Sequence, residues 1–183
     1  MGYRFLLTLI LAAMSELHAG DNAEILALPA DGWDLVTDNV MGGVSEAKMS
    51  IDTVQGERCI ALRGQVSTAN SGGFIQIALD IRDSARLAEG YDGLRLDVIG
   101  NGETYNVHLR TSELWLPWQS FRASFDTAPE WKTVYLPFSG FEPYRTHARL
   151  KLPKLRRLGV VAIGRDFDAD LCVKGLALYR LRD

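Results

Sequence analysis

In the stretch "GFIQIALDI", residues 73–81, apolar residues recur with a period of two, which is typical of a half-buried strand. The residues on one face are Ile75, Ile77, Leu79 and Ile81, while Phe74, Gln76 and Asp80 lie on the other. The stretch "TYNVHLRT", residues 104–111, alternates in the same way. Successive side chains of a strand point to opposite faces, so both stretches predict strands with one buried face.

Seven more stretches resemble strands and are separated by Gly, Asn, Asp or Pro. They are "KMSIDTV", "RCIALRGQV", "GLRLDVIG", "SFRASF", "WKTVYLPF", "LGVVAIG" and "LCVKGLALYRL". Only "RDSARLAEG", residues 82–90, could form a helix. Closely spaced strands without crossover helices imply antiparallel pairing, so the sequence predicts an all-β sandwich or jelly roll. No repeat or linker divides the chain, and residues 20–183 are predicted to form a single domain.

The first 19 residues are predicted to be a signal peptide. A positively charged start precedes the apolar run Phe5–Met14, and a small residue, Ala19, marks the expected cleavage site. The run is too short to span a bilayer, and no cysteine follows it to carry a lipid. We therefore expect a periplasmic or secreted protein without a stable membrane anchor.

The charge balance does not favour a nucleic-acid partner. The chain of 183 residues has a formal charge of −3, and nucleic-acid binding calls for a clustered basic face. The densest basic stretch, "HARLKLPKLRR" at residues 147–157, is interrupted by Leu and Pro. It is interpreted as a solvated loop leading into a strand, with a partner-binding patch as the alternative.

The stretch "DNVMGGVS", residues 38–45, is the first candidate site. It lacks the G-x-G-x-x-G pattern and the Lys of a P-loop, and a strand rather than a helix follows it. Two interpretations remain. Either the glycines form a tight connection whose backbone N–H groups are satisfied by side chains, or the same loop is also part of a binding edge. The residues concerned are Asp38, Asn39, Gly42, Gly43 and Ser45.

Five segments together resemble the complex I intermediate-associated protein 30 family. They are "WDLVTDNVMGGVSEAKM" from Trp33, "SGGFIQI" from Ser71, "YDGLRLDVIGNGETYNVHLRT" from Tyr91, "PWQSFRASF" from Pro117 and "WKTVYLPFSGFEP" from Trp131. The resemblance implies a galactose-binding-like jelly roll without catalytic activity. It also implies a protein-binding role as an assembly factor or chaperone, on a fold shared with carbohydrate-binding modules.

Catalytic motifs are missing from the sequence. After removal of the signal peptide only His108 and His147 remain, and neither a G-x-S-x-G elbow nor an H-E-x-x-H pair is present. His108 shares a strand face with Asn106 and Arg110, which could form a polar binding floor or simply face solvent. We expect no enzyme activity and no cofactor.

The stretch "RDFDADL", residues 165–171, raises the question of a calcium site. Its alternating aspartates begin like a calcium loop, but the glycine and the closing glutamate are missing. A hairpin loop between two strands is the favoured interpretation, with a structural calcium as the alternative; no metal site is predicted.

Two tryptophans flank Pro117 in a connection between strands. Trp115 is predicted to be exposed and available to a ligand, whereas Trp118 is predicted to be packed. Such rings stack on sugars or anchor protein partners.

Cys59 and Cys172 are the only cysteines. In an oxidising compartment they could form a disulfide, and both also suit buried strand positions as free thiols.

The favoured hypothesis is an exported, non-catalytic β-sandwich that binds another protein. A carbohydrate-binding module is the alternative, and a hydrolytic enzyme ranks third.

Overall fold

The computed structural model describes residues 23–182, which form two antiparallel sheets. The twelve strands of this region are β1 Ala23–Ala27, β2 Trp33–Thr37, β3 Glu46–Val54, β4 Glu57–Val66, β5 Phe74–Asp80, β6 Gly93–Gly100, β7 Thr104–Thr111, β8 Ser120–Asp126, β9 Lys132–Pro137, β10 Glu142–Tyr144, β11 Leu155–Ile163 and β12 Phe167–Leu181. The predicted signal peptide lies outside the described residues. Within them, no helix has the length and apolar character needed to cross a membrane.

Each sheet has six strands. The first sheet has the order β3-β4-β12-β6-β9, and β1 pairs with the C-terminal part of β12. The second sheet has the order β10-β8-β7-β11-β5-β2. All pairs are antiparallel, and the sequence-based prediction of an all-β sandwich is confirmed.

The core lies between the two sheets and follows the predicted alternation. Ile75, Ile77 and Leu79 of β5 are buried, and so are Tyr105 and its apolar neighbours on β7. Burial of these side chains removes apolar surface from water, which is the main driving force for the sandwich. The opposite face of the second sheet therefore points away from the core and is available for polar residues.

Residues 82–90 do not form an α-helix. They form two short 3-10 segments, Arg82–Ser84 and Leu87–Gly90. The carboxylate of Asp80 accepts hydrogen bonds from the backbone N–H and the Nε of Arg82, both at 3.0 Å, which favours a tight turn. So short a segment also cannot repay the cost of nucleating a helix, and burial of Ala85 and Ala88 fixes the turns instead.

The aspartates of residues 165–171 are placed differently from the predicted hairpin loop. Strand β12 begins at Phe167, so Asp168 and Asp170 lie on the strand and only Asp166 lies in the turn. Asp166 accepts hydrogen bonds from the backbone N–H and Oγ1 of Thr68, at 2.6 and 2.7 Å. Among residues 23–182 no group of three His, Cys, Asp or Glu residues is arranged to hold a metal ion.

Cys59 and Cys172 form a disulfide between the neighbouring strands β4 and β12. Both residues are buried beside Ala61 and Ile99, and Trp131 packs against this cluster. The bridge lies in the first sheet and has no part in the surface described below.

Candidate functional site

The outward face of the second sheet carries a groove of about 750 Å³. Its floor comes from β5, β7, β8 and β11, and its walls come from β2, β10 and the loops near residues 40, 72, 118 and 145. The residues that line it include Val40, Met41, Gln76, Ala78, His108, Arg110, Trp118, Gln119, Ser120, Arg122, Tyr144, Arg145, Arg157 and Gly159.

Small residues form part of the floor of the groove. Arg122, His108, Gly159 and Ala78 are successive cross-strand neighbours from β8 to β5. A Cβ at residue 159 would lie 2.6 Å from Oε1 of Gln76, so a larger residue there would displace the Gln76 side chain. The small side chains leave space above the sheet, with the longer polar side chains around it.

His108 contributes a neutral ring to this floor. Its Nε2 is buried and has no hydrogen-bond partner among the described residues. Burial, with the positive charge of Arg122 nearby, lowers the pKa of His108 from 6.5 to about 3. His108 and Arg110 line the groove, while Asn106 on the same strand face does not. A binding role for these residues stays a prediction.

The wall at residues 112–119 is fixed by Arg110. Its Nη1 donates hydrogen bonds to the carbonyls of Leu116 and Gln119, at 3.0 and 2.8 Å. The side chain of Gln119 accepts from the N–H of Leu116 at 3.1 Å and donates to the carbonyl of Arg145, also at 3.1 Å. Arg110 therefore positions the loop that carries the tryptophans.

The two tryptophans have different positions in this loop. Trp115 is 91% exposed, as expected, but it does not line the groove. Trp118 lines the groove and is 44% exposed, so the prediction that it is packed is wrong. The hydrogen bonds of Arg110 and Gln119 hold the loop backbone in a conformation that directs Trp118, rather than Trp115, toward the sheet.

A second aromatic ring and two guanidinium groups form the adjoining wall. The guanidinium of Arg122 stacks over the ring of Tyr144, 3.3 Å from its centroid, and that of Arg145 lies 5.4 Å from the same ring. Nε of Arg122 also donates to Oγ of Ser120 at 3.0 Å. The two contacts with the Tyr144 ring are cation–π interactions, and they hold both arginines at the groove.

The glycine loop is organised by a buried carboxylate. Asp38 is fully buried, and its carboxylate accepts hydrogen bonds from the N–H and Oγ of Ser45 and from the N–H groups of Gly73 and Phe74. Burial raises the pKa of Asp38, but the hydrogen bonds from Gly73 and Ser45 outweigh this effect and keep the pKa below its ordinary value. Ser45 is also fully buried and accepts from the N–H of Ser67 at 3.0 Å. Asp38 and Ser45 therefore hold the loop and do not face a ligand.

The other residues of this loop have two roles: the glycines determine the loop conformation, and the rest lie at the surface. Gly42 has φ +87°, the left-handed region, and a Cβ on Gly43 would lie 2.3 Å from Cγ of Asp38. Asn39 is exposed but borders a separate shallow depression rather than the groove. The loop residues that do line the groove are Val40 and Met41.

Sequence patterns did not indicate several lining residues. Arg122 could have been found from the alternation in "SFRASF", because its neighbours Phe121 and Ala123 belong to the opposite face. Tyr144 and Arg145 carry no such signal, since they lie in and after a three-residue strand that contains a proline.

The fold is similar to that of two solved carbohydrate-binding modules of Clostridium thermocellum. One is a family 11 module in complex with a β-1,3-1,4-mixed-linked tetrasaccharide, with a TM-score of 0.70, 12% identity, and coverage of 87% of this chain and 97% of that chain. The other is the family 30 module of a cellulosomal cellulase, with a TM-score of 0.62, 12% identity, and coverage of 87% and 99%. At these identities the likeness establishes the fold alone.

Comparison with curated proteins gave no match. The family of complex I intermediate-associated protein 30 matches residues 24–172, which is most of the chain and includes nearly all strands of both sheets. The segments on which the resemblance rested lie within this range. The chain therefore belongs to the complex I intermediate-associated protein 30 family.

Proposed function

We propose that the chain is a non-catalytic binding module that holds an oligosaccharide in the groove of the second sheet. The observation that carries this proposal is the groove itself, in which an exposed indole and several hydrogen-bond donors border a floor of small residues. A sugar ring has an apolar face and a rim of hydroxyl groups, and this arrangement offers a partner to each.

Named side chains can perform these two tasks. Trp118 can stack on a pyranose ring, while Gln76, Arg122 and Arg145 can bond to hydroxyl groups. The neighbour solved with a bound tetrasaccharide has the same fold, which supports the proposal without locating the ligand in this chain.

A binding role is favoured over catalysis by the chemistry of the lining. Hydrolysis of a glycosidic bond ordinarily needs two carboxyl groups, and the described residues that line the groove include no Asp or Glu. His108 is not paired with a nucleophile, because its Nε2 has no hydrogen-bond partner in the described part of the chain.

A protein ligand is the second candidate. It is favoured by the apolar side chains exposed at the groove rim and the loop tip, Val40 at 73%, Met41 at 51% and Trp115. Exposed apolar patches of this kind mark interaction surfaces, and an assembly-factor or chaperone-like role would use them.

An exported location is part of the proposal. Cleavage after Ala19 would place the groove in contact with envelope or extracellular glycans. Intact-mass measurement of the envelope fraction is expected to show a chain that begins at Gly20. Recovery of the full-length chain in the cytoplasm would contradict export.

The two tryptophans provide a matched test of the proposed function. A glycan array would identify a ligand, and affinity electrophoresis would compare Trp118→Ala with Trp115→Ala. Loss of stacking is expected to weaken binding of Trp118→Ala tenfold or more, about 1.4 kcal/mol, while Trp115→Ala binds like the parent. If no glycan binds, and an envelope protein is captured by the parent but not by Trp115→Ala, the protein-binding candidate replaces this one.

A further inference from the structure

The lining of the groove has a strong positive charge. It includes four arginines and, among the described residues, no carboxylate. The four are Arg110, Arg122, Arg145 and Arg157. The whole chain has a formal charge of −3, so this excess is local to the groove and not a property of the protein as a whole.

Arginines at the surface of the described part of the chain divide into those with an ion pair and those without one, such as Arg58, Arg86, Arg149 and Arg156. Arg63, Arg165 and Arg180 each form an ion pair with a carboxylate at the surface. Arg122 and Arg145 have no carboxylate within 4 Å among residues 23–182. Two guanidinium groups therefore border one aromatic ring without a counterion from the described chain.

The other two groove arginines are partly compensated. Arg110 donates to loop carbonyls, as described above, and Nη2 of Arg157 lies 3.6 Å from Oδ2 of Asp34 at the edge of the sheet. Glu142 is opposite Arg122 in the strand register, but it is exposed and forms no ion pair with it. The uncompensated charge is therefore concentrated at Arg122 and Arg145.

The neighbouring groups do not neutralise this charge. Burial lowers the pKa of Arg122, an effect to which Arg145 adds and which Tyr144 opposes. Burial also lowers the pKa of Arg110, and Arg157 and Arg156 add to the effect. A bound anion would be attracted most strongly at such a site, because the surrounding protein partly excludes water.

We propose that the natural ligand is an acidic oligosaccharide, whose carboxylate or sulfate groups bind Arg122 and Arg145 while a sugar ring stacks on Trp118. This inference rests on the proposed function and specifies its substrate class. A guanidinium offers a planar fork of donors that fits both carboxylate and sulfate oxygens.

An acidic saccharide fits the groove better than an acidic peptide does. The groove lies on a sheet face, where the strand backbones of β7, β8 and β11 already pair with their neighbours. A peptide therefore cannot add to these strands by backbone hydrogen bonding, which is a common source of peptide affinity at a sheet. Recognition must come from side chains, as the binding of a sugar chain requires.

The test compares four probes with the full chain by affinity electrophoresis and calorimetry at near-physiological salt. Polygalacturonate supplies carboxylates and dextran sulfate supplies sulfates, so these two arms identify the anionic group. Mixed-linked β-glucan is the neutral saccharide, and polyglutamate is the acidic polypeptide. The variants are Arg122→Gln and Arg145→Gln, with Arg86→Gln as the matched control, because Arg86 is exposed and lies outside the groove.

We expect at least one acidic polysaccharide to bind tenfold or more tightly than the neutral glucan, with a strong salt dependence. Each groove variant should weaken that binding about tenfold, and Arg86→Gln should leave it unchanged. Arg145 is exposed, so its variant tests the proposal even if Arg122→Gln fails to fold.

Other results would overturn the inference in distinguishable ways. If the neutral glucan binds best and Arg145→Gln has no effect, the ligand is a neutral saccharide and the proposed function stands. If polyglutamate binds as tightly as either polysaccharide, the site recognises acidic polypeptide. If none of the four probes binds, both the inference and the proposed function fail.

Discussion

Replacement of Asp38 by alanine is expected to destabilise the sandwich strongly. The carboxylate connects the glycine loop to the start of β5, because it accepts from Ser45 at one end and from Gly73 and Phe74 at the other. The connected segments carry Val40, Met41 and Gly73 at one wall of the groove. Asp38 therefore links the stability of the fold to the shape of the site.

The size of the destabilisation in Asp38→Ala follows from the N–H groups that would lose their acceptor. Removal of the carboxylate leaves the buried N–H groups of Ser45 and Gly73 without an acceptor. Each unsatisfied group lowers the free energy of unfolding by about 1–3 kcal/mol. We therefore expect Asp38→Ala to lower the free energy of unfolding by about 2–6 kcal/mol. Asp38→Asn preserves the shape but places an amide NH₂ against one of these donors, so it should recover only part of the loss.

Urea unfolding followed by tryptophan fluorescence would measure these differences. Asn39→Ala is the matched control, because the neighbouring residue is exposed and its side chain makes no hydrogen bond among the described residues. Its expected effect is within about 0.5 kcal/mol. If Asp38→Ala and Asn39→Ala have the same unfolding midpoint, the Asp38 carboxylate does not hold the loop.

Three further predictions concern pH, the disulfide and the glycines. Because the folded pKa of His108 is about 3 and its ordinary value is 6.5, only the unfolded state takes up this proton between those values. The free energy of unfolding should therefore fall as the pH drops below 6.5, by about 2 kcal/mol at pH 5. His108→Gln should make the free energy of unfolding less dependent on pH in this range. The same pH dependence in His108→Gln and the parent would contradict the prediction. Thiol counting under denaturing, non-reducing conditions should find Cys59 and Cys172 unreactive, and reduction should cost about 4–5 kcal/mol for a bridge that spans 113 residues. Two free thiols would end that prediction. Gly42→Ala should lower the free energy of unfolding by about 1 kcal/mol because Gly42 has a positive φ. Gly43→Ala should lower it more, because the added Cβ displaces the Asp38 side chain. A higher urea midpoint for Gly43→Ala than for Gly42→Ala would contradict these roles.

The strands that bury one face were predictable from sequence, because burial imposes a period of two on each strand separately. The alternation of residues 73–81 and 104–111 identified β5 and β7 and the side of each that enters the core. The short strands β1, β2 and β10 were missed. Strand β10 has three residues, one of them Pro143, which are too few to show a period, and the five-residue strands β1 and β2 contain no fully buried residue. The tight turns at residues 82–90 were also missed, since the first of them depends on hydrogen bonds between Arg82 and Asp80 and not on composition.

The glycine loop was predictable in its chemistry but not in its connections. The sequence indicated acceptor side chains for nearby N–H groups, and Asp38 and Ser45 have this role. The N–H groups of Gly73 and Phe74, however, lie some 35 positions along the chain from Asp38, and no local pattern brings them together. The two glycines also have different roles that the sequence does not distinguish: Gly42 has a positive φ, while Gly43 allows a close approach to Asp38.

The groove could be predicted only in part. His108 and Arg110 were found because they alternate with core residues on one strand. Trp118 and Tyr144 meet at the groove through a loop held by side-chain bonds and an edge strand, so their proximity is a result of tertiary packing. The predicted contact at Trp115 followed from exposure alone, which does not place a residue at a concavity.

Chemical-shift mapping of the ¹⁵N-labelled chain during titration with an oligosaccharide would show directly whether a saccharide binds in the groove. The probes are tetragalacturonate and the mixed-linked β-glucan tetrasaccharide. We expect at least one of them to shift the indole N–H signal of Trp118 together with the amide signals of Gln76, His108, Arg122 and Gly159. Shifts confined to Trp115 or Asn39, or no saturable shift with either probe, would contradict this prediction.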